Sequence, residues 1–223
     1  MFINGVPIES YGGIMLGTPR ISNAEYTSEY TYQRTRSTIR HLSHDIGVKD
    51  IECHVAFLGD SIHEIQLKRS AFRAALAGKL DVSFKRDRFF YFAEYDGERE
   101  LESEHENAAV SVFKFKGVQH LPLETISGRK VFCKSTIPET DCRITVKLSA
   151  SKTNVIIGGV KFASASANDV LVVDGFDGHI LKNNQAVTAE FIRLPYLVSG
   201  ENTVHEYTSG IEYTTIEYYP TFL

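Results

Sequence analysis

The 223-residue sequence contains no tryptophan, only two methionines and only three cysteines. A small, odd number of cysteines argues against the disulfide framework of a secreted domain. No stretch approaches the roughly 18 consecutive apolar residues of a membrane-spanning helix. The opening MFINGVPIES lacks the basic start and the apolar run of a signal peptide. These absences predict a soluble protein made in a reducing cytosol.

Neither the charge balance nor the short sequence motifs indicate a nucleic-acid-binding protein or an enzyme. The chain has 24 Lys and Arg against 28 Asp and Glu, a net charge of −4, which gives no general attraction to a nucleic-acid backbone. The sequence has no GxSxG, no HExxH, no Walker loop and no GxGxxG at a strand–helix junction. We therefore predict that the protein is not an enzyme, with no catalytic residue, no bound cofactor and no metal site.

Aromatic residues are plentiful, with 14 Phe and 11 Tyr, and both types favour strands. Residues 49–58 alternate cleanly and predict a half-buried strand whose inner face carries Cys53 as a small hydrophobe. The period then changes to that of a helix over residues 61–77. Ser61 is a candidate N-cap with Glu64 three residues later, as in a capping box, and Gly78 ends the helix. Its predicted apolar face consists of Ile62, Ile65, Phe72 and Leu76.

A β-hairpin is predicted over residues 80–95. Its second strand, residues 89–95, carries aromatic side chains on both faces. Such a strand is covered on both sides, either by a second layer of the same domain or by another subunit. The acidic stretch GERELESEHE, residues 97–106, is interpreted as a solvated loop or an edge strand.

The sequence pattern of the second half predicts β-strands throughout. Closely spaced turn signals, among them Gly158–Gly159 and Asn183–Asn184, separate many short strands, which is typical of a β-sandwich. A proline and a glycine in residues 120–129 mark a domain boundary, giving domains at 1–122 and 123–223. The predicted strands of the second half are 130–134, 143–150, 154–157, 160–163, 170–173, 179–181, 187–194, 202–207 and 211–219.

Two groups of residues invite a metal interpretation, and both have a simpler one. His41 and His44 lie in HLSHD, where the following Gly47 and Val48 favour a loop running into a strand, and a zinc site needs three or four ligands. Asp174 and Asp177 lie in VVDGFDGHI, which lacks the terminal Glu of a calcium loop. Hairpin turns explain both of its Asp-Gly pairs.

Cys133 and Cys142 bracket a predicted turn, STIPETD, and could face each other across a hairpin. In a cytosolic protein such a pair is expected to be reduced.

Two regions together resemble the distal tail protein of long-tailed siphophages, a component of the tail tip and baseplate. The first is the strand–helix–hairpin order of DIECHVAFLGDSIHEIQLKRSAFRAALAGKLDVSFKRDRFFYFAEYDG. The second is the run NVIIGGVKF, NDVLVVDGFDGHILKNNQ, LVSGENTVHEYTSG and IEYTTIEYYPTFL. In this family the chain commonly closes on a strand and an aromatic–Pro–x–aromatic ending, which Tyr219, Pro220, Thr221 and Phe222 fit. The family's hairpin turn often reads Asn-Gly, whereas here it reads Asn-Asn.

The resemblance implies a mainly β protein. Residues 1–122 would form a ring-forming β-sandwich with one α-helix and a protruding β-hairpin, and residues 123–223 a galectin-like or carbohydrate-binding-module-like β-sandwich. It also implies a structural role in the virion tail, as a hexameric ring that joins the tail tube to the adsorption apparatus. The implied partners are other copies of the chain, the tail tube and tape measure proteins and receptor-binding proteins, with DNA only as passing cargo.

Two other classes of function stay open from the residues. A carbohydrate-binding adhesion module recognising host glycans is the main alternative, although sugar sites on β-sandwiches often use a tryptophan that this chain lacks, and tyrosine would have to substitute. An enzyme acting on the cell wall has no acid/base pair or nucleophile behind it.

Overall fold

The computed structural model describes residues 1–24, 26–31, 40–85, 87–101, 107–191 and 193–222, with only the backbone described for 26–31, 40–46 and 191. The chain folds as two compact units, Met1–His120 and Leu121–Phe222. Each unit has its own hydrophobic core of buried side chains. No helix in the described part of the chain has the length and apolar character needed to cross a membrane.

The first unit is a large antiparallel sheet with a helix packed on one face. Its 3-10 turn is Ile8–Tyr11 and its α-helix, α1, is Ile62–Ala74. Its strands are β1 Phe2–Ile3, β2 Val6–Pro7, β3 Gly13–Ile21, β4 Tyr26–Thr31, β5 Arg40–Ile46, β6 Lys49–Leu58, β7 Leu80–Ser83, β8 Phe90–Leu101 and β9 Ala108–His120.

The sheet runs in the order β2–β1–β7–β8–β9–β6–β3, while β4 and β5 form a separate two-stranded ladder. β6 and β9 are paired along their length, from Lys49 opposite Gly117 to Leu58 opposite Ala108. The residues of β6 that were predicted to face inward lie in the core, because successive strand residues point to opposite faces. Burial raises the pKa of the Cys53 thiol to about 12.

Helix α1 begins at the predicted N-cap, Ser61, with the Glu64 carboxylate bonded to the backbone one residue earlier than in a capping box. The Glu64 backbone N–H donates to Ser61 Oγ at 3.3 Å, and the Asp60 N–H donates to Glu64 Oε2 at 2.9 Å. Phe72 packs edge-on against Phe113 of β9, with ring centroids 4.7 Å apart. The predicted apolar face was wrong at Ile62, which is 70% exposed, because it lies in the first turn.

The second unit is all β in its described residues. Its strands are β10 Glu124–Ser127, β11 Lys130–Cys133, β12 Thr140–Leu148, β13 Lys152–Ile157, β14 Val160–Ala165, β15 Val170–Asp174, β16 Ile180–Lys182, β17 Gln185–Ala186, β18 Glu190–Phe191, β19 Tyr196–Leu197, β20 Gly200–Thr203, β21 Ile211–Tyr218 and β22 Thr221–Phe222.

Its main sheet runs β10–β21–β12–β15–β16–β17, with β19 also on β12, beside the ladders β13–β14–β18 and β11–β20. One core joins side chains from the main sheet and from β13 and β14. β21 lies between β10 and β12, so that Ile216 is opposite Ile126 on one side and Ile144 on the other. The strand predicted at 211–219 is therefore an interior strand.

Most of the predicted second-half strands are present with small shifts in their ends. The single strand predicted at 187–194 was wrong, because the segment holds only the short β18 within its described residues. The strand predicted at 202–207 lies earlier, at β20. The Asn183–Asn184 turn is confirmed, since both residues have positive φ, 53° and 62°, as a type I′ hairpin requires.

Cys133 and Cys142 do not face each other across a hairpin, as had been predicted. Cys133 of β11 is opposite Gly200, and Cys142 of β12 is opposite Tyr218, so the two strands belong to different ladders. Both thiols are free and buried in the same core.

Candidate interaction surface and ligand cavities

The face of the first unit's sheet that points away from the core carries an apolar zone, defined here as Ile14, Leu16, Ala56, Leu58 and Val112. Strand pairing sets them side by side, with Ile14 opposite Ala56 and His54 between Leu16 and Val112. Ala56 and Val112 are buried although neither belongs to the core, while Ile14, Leu16 and Leu58 are exposed. Contiguous exposed apolar groups mark sites of association.

Charged residues follow along the same face. Lys114 Nζ lies 3.2 Å from Glu52 Oε1, and Lys116 Nζ lies 3.9 Å from Asp96 Oδ2. These exposed pairs contribute little to stability, and they limit the extent of the apolar zone.

Strand β8 carries aromatic side chains on both faces, as predicted. Tyr91 is buried in the core, whereas Phe92 on the opposite face is 41% exposed. The Phe92 ring stacks on the His120 imidazole, with centroids 3.7 Å apart and planes 11° from parallel.

The acidic stretch, which was interpreted as a solvated loop or an edge strand, begins inside β8. The Glu98 side chain is almost fully buried and accepts hydrogen bonds from Nε of Arg69 and of Arg73 on α1. Burial alone would raise the pKa of Glu98, but the hydrogen bonds from Arg73 and Arg69 outweigh it, and the pKa is lowered. Glu98 thus fastens the helix to the sheet.

The predicted turn at Asp174 and Asp177 brings together three potential metal ligands. One carboxylate oxygen of each aspartate and one ring nitrogen of His179 lie within 4.8 Å of one another. Arg143 donates to Asp174 Oδ2 from Nε at 2.8 Å and from Nη2 at 2.7 Å, and the Phe176 N–H donates to Oδ1 at 2.9 Å. A cation here would compete with the guanidinium, so turn chemistry remains the simpler account.

His41 and His44 were predicted to lie in a loop, and this was wrong. Their backbones belong to β5, where His41 is opposite Tyr30 and His44 is opposite Ser28. Their side chains lie outside the described residues, so the prediction that they bind no metal stays a prediction.

The second unit contains two neighbouring cavities that sequence reasoning missed. The first, here called the Tyr196 cavity, is lined in part by Tyr196 and Val198 and has a volume of about 530 Å³. The second, here called the Tyr213 cavity, is lined in part by Tyr213 and has a volume of about 580 Å³. His205 and Tyr207 line both. No sequence motif indicates them, because their walls come from loops and strands spread from Ser127 to Thr214.

The walls of the Tyr196 cavity are partly apolar and partly polar. Ile156 and Val198 are exposed hydrophobic side chains. The guanidinium of Arg193 lies 4.0 Å from the ring centroid of Tyr196 and covers one face of it. Asn202 holds the adjoining loop, since its Oδ1 accepts from the Val198 N–H at 2.9 Å and its Nδ2 donates to the Val198 carbonyl at 2.7 Å.

His205 stands between the cavities and is only 5% exposed. Its Nε2 lies 2.8 Å from Thr214 Oγ1, while Nδ1 has no hydrogen-bond partner within the described residues. A buried polar atom without a partner costs about 1–3 kcal/mol. Burial, followed by the nearby Arg129, lowers the pKa of His205, so the imidazole is neutral at pH 7.

Tyr207 closes the free edge of β13 beside the cavities. Its hydroxyl accepts from the Ile156 N–H at 2.9 Å and donates to the Asn154 carbonyl at 3.1 Å. The strand predicted at 202–207 would have placed the Tyr207 backbone in a ladder. In the structure the Tyr207 side chain, and not its backbone, makes the hydrogen bonds to β13.

No family model and no curated protein sequence matches the chain. Among solved structures, the chain is similar to the SPP1 Dit protein, described as a paradigm of the hub adsorption apparatus in phages that infect Gram-positive bacteria. The TM-score is 0.68 at 14% identity, covering 100% of this chain and 98% of that one.

Two structures of the phage P2 baseplate in its activated conformation, with Ca and with Sr, align less closely. Both have a TM-score of 0.45, at 11% and 9% identity, over 91% and 93% of this chain and 90% of each of theirs. The similarity to the SPP1 Dit structure shows that the chain has a mainly β, Dit-like fold, and the resemblance to siphophage distal tail proteins is confirmed at the level of the fold.

Proposed function

We propose that the protein is a structural subunit of a phage tail tip, without catalytic activity. The observation that supports this most is the similarity to the SPP1 Dit fold over the full length of both chains. In this proposal six copies form a ring that joins the tail tube to the adsorption apparatus of the virion. The further partners are the tape measure and receptor-binding proteins, and DNA passes through the ring.

The two units have different roles in the proposal. Residues 1–122 form the ring, and residues 123–223 form a galectin-like β-sandwich. Two separate cores support this division, because each unit can keep its own fold while one of them takes part in assembly.

We assign the contact between copies to the apolar zone of the first unit. Two of its exposed side chains, Ile14 and Leu16, are on β3, the last strand in the sheet order. A neighbouring copy that covers this zone removes Ile14, Leu16 and Leu58 from water, which stabilises the assembly. Head-to-tail contacts of this kind close into a ring when the rotation per subunit fits.

Light scattering across a wide concentration range, with negative-stain images, tests the proposal. We expect particles of six subunits, or stacked pairs of such rings. Leu16→Lys should shift the population toward monomers, because the lysine places a charge in the covered surface. The matched control is Leu67→Lys on α1, where the leucine is 57% exposed compared with 43% for Leu16. A strict monomer without rings would overturn the proposal.

A further inference from the structure

We propose that protonation of His54 weakens the contact that copies of the chain make through the apolar zone, so that assembly depends on pH. This inference rests on the proposed function, since it requires a neighbouring copy to cover the zone. It deepens that function by assigning a regulatory group within the contact. The position of His54, the apolar row beside it and the charges around it carry the inference in turn.

His54 lies within the apolar zone, on the same face of the sheet. Its strand neighbours Cys53 and Val55 belong to the core, so His54 points outward, and its side chain is exposed. In the sheet it is opposite Leu16 of β3 on one side and Val112 of β9 on the other. A copy that covers these two residues therefore also covers the imidazole between them.

The adjoining row on this face consists of apolar side chains. Across the four strands it runs through Ile14 of β3, Ala56 of β6, Val110 of β9 and Leu101 of β8. These side chains offer an imidazolium neither a hydrogen-bond acceptor nor a counter-charge. Once the zone is covered, a protonated His54 would lie against an apolar surface on this side.

The charged groups around His54 do not balance a positive imidazole. The preceding residue of β6 on this face is Glu52, and it lies opposite Arg20 of β3 and Lys114 of β9. Arg99 of β8 is at the end of the row that contains His54. Among the described residues that flank the imidazole on this face, three cations thus accompany one carboxylate. Glu52 is itself paired, since Lys114 Nζ lies 3.2 Å from its Oε1.

Covering the zone is therefore most favourable when His54 is neutral. A charge that loses its water without gaining a partner is costly, and histidine is the side chain that changes charge between about pH 5 and pH 8. A contact that forms on a protonated imidazole must release the proton, so the association constant falls as the pH falls. One histidine that must be neutral in each contact gives a change of about ten-fold between about pH 7.5 and about pH 5.5.

Sedimentation velocity of the full-length chain at these two pH values, at constant ionic strength, tests the proposal. We expect the protein concentration at which the assembly dissociates to be about ten-fold higher, or more, at the lower pH. His54→Gln keeps an uncharged polar side chain and should assemble equally at both pH values. His54→Lys carries a charge at both and should assemble weakly at both. Calorimetry of the variants should show wild-type melting, because the side chain is exposed.

His63→Gln, at an exposed histidine of α1, is the matched control and should keep the pH dependence of the wild type. Wild-type assembly that is equally strong at the two pH values, or that strengthens at the lower one, would overturn this inference and leave the proposed function standing. The same pH dependence in His54→Gln as in the wild type would also overturn it. A strict monomer at both pH values would overturn the proposed function, and this inference with it.

Discussion

The Tyr207 hydroxyl lies 2.9 Å from the backbone nitrogen of Ile156, fifty-one positions away in the chain. The same hydroxyl reaches the Asn154 carbonyl at 3.1 Å. One side chain thus provides both bonds that a neighbouring strand would make, and it covers an edge that would otherwise be open to other chains.

We expect Tyr207→Phe to lower the free energy of unfolding of the second unit by about 1 kcal/mol, because two hydrogen bonds are lost and the backbone groups return to water. Differential scanning calorimetry measures the change. Tyr213→Phe, at an exposed tyrosine of the neighbouring cavity, is the control and should leave the melting temperature unchanged. Equal shifts in the two variants would contradict the role given to Tyr207.

Deleting the segment after Ser209 should unfold the second unit and leave the first unit folded. The deletion removes β21, which pairs on both sides and buries Ile216 and Tyr218 completely. Loss of two such side chains costs about 3–6 kcal/mol, comparable with the whole stability of a small domain at about 5–15 kcal/mol. Limited proteolysis and calorimetry give the readout.

A milder version of this change is Ile216→Ala, which should cost about 2–5 kcal/mol. Tyr213→Ala on the exposed side of the same strand is its control and should cost much less. For the truncation after Ser209, normal melting of the second unit would show that β21 is a free arm and does not stabilise the sheet.

Lowering the pH should lower the free energy of unfolding of the second unit, because the Asp169 carboxylate becomes protonated. Hydrogen bonds from Lys182, Asn183 and the Ser166 backbone lower the pKa of this carboxyl to about 2, and Lys182 Nζ lies 2.8 Å from Oδ2. A lowered folded-state pKa gives stability that is present above the unfolded value of 3.8 and is lost as the pH falls toward 2.

The size of this effect is about 2 kcal/mol at most. Denaturant unfolding between pH 6 and about pH 2 should show a steeper loss for the wild type than for Asp169→Asn, which has no carboxyl to protonate. Parallel pH profiles for the two proteins would rule out the assignment.

Removal of metal ions should change nothing in the melting of either unit. Arg143 already balances the charge of Asp174 through two hydrogen bonds, so the cluster with Asp177 and His179 does not need a cation. Melting curves with and without a chelator provide the check. A drop in melting temperature that one divalent ion restores would reverse this interpretation.

The parts of the fold that could be predicted are those with local signals. The N-cap at Ser61 and the two left-handed residues of the Asn183–Asn184 turn involve neighbours in sequence, and the alternation of β6 needs only a buried face. Ile62 was mispredicted because a residue in the first turn can share the helical face and still project beyond the sheet that the helix covers.

The candidate sites depend on long-range placement that a single sequence does not encode in a readable form. Tyr207 reaches Asn154 fifty-three positions away, and Glu98 reaches Arg69 on another element. An acidic run looks solvated until a helix supplies its counter-charges. The cavities carry no motif because their walls are single side chains from separate loops and strands.

The interior position of β21 also has a consequence for the order in which the chain folds. Tyr218 contacts Glu124 across 94 positions, so the main sheet of the second unit cannot be completed until a long stretch of chain has closed on itself. The first unit also joins distant strands, since Phe2 of β1 lies opposite Ser83 of β7, but both of these strands are synthesised before the second unit begins. During synthesis, β10 and β12 therefore have exposed edges until β21 pairs with both of them. Mispairing of the nascent chain is most favoured in this interval.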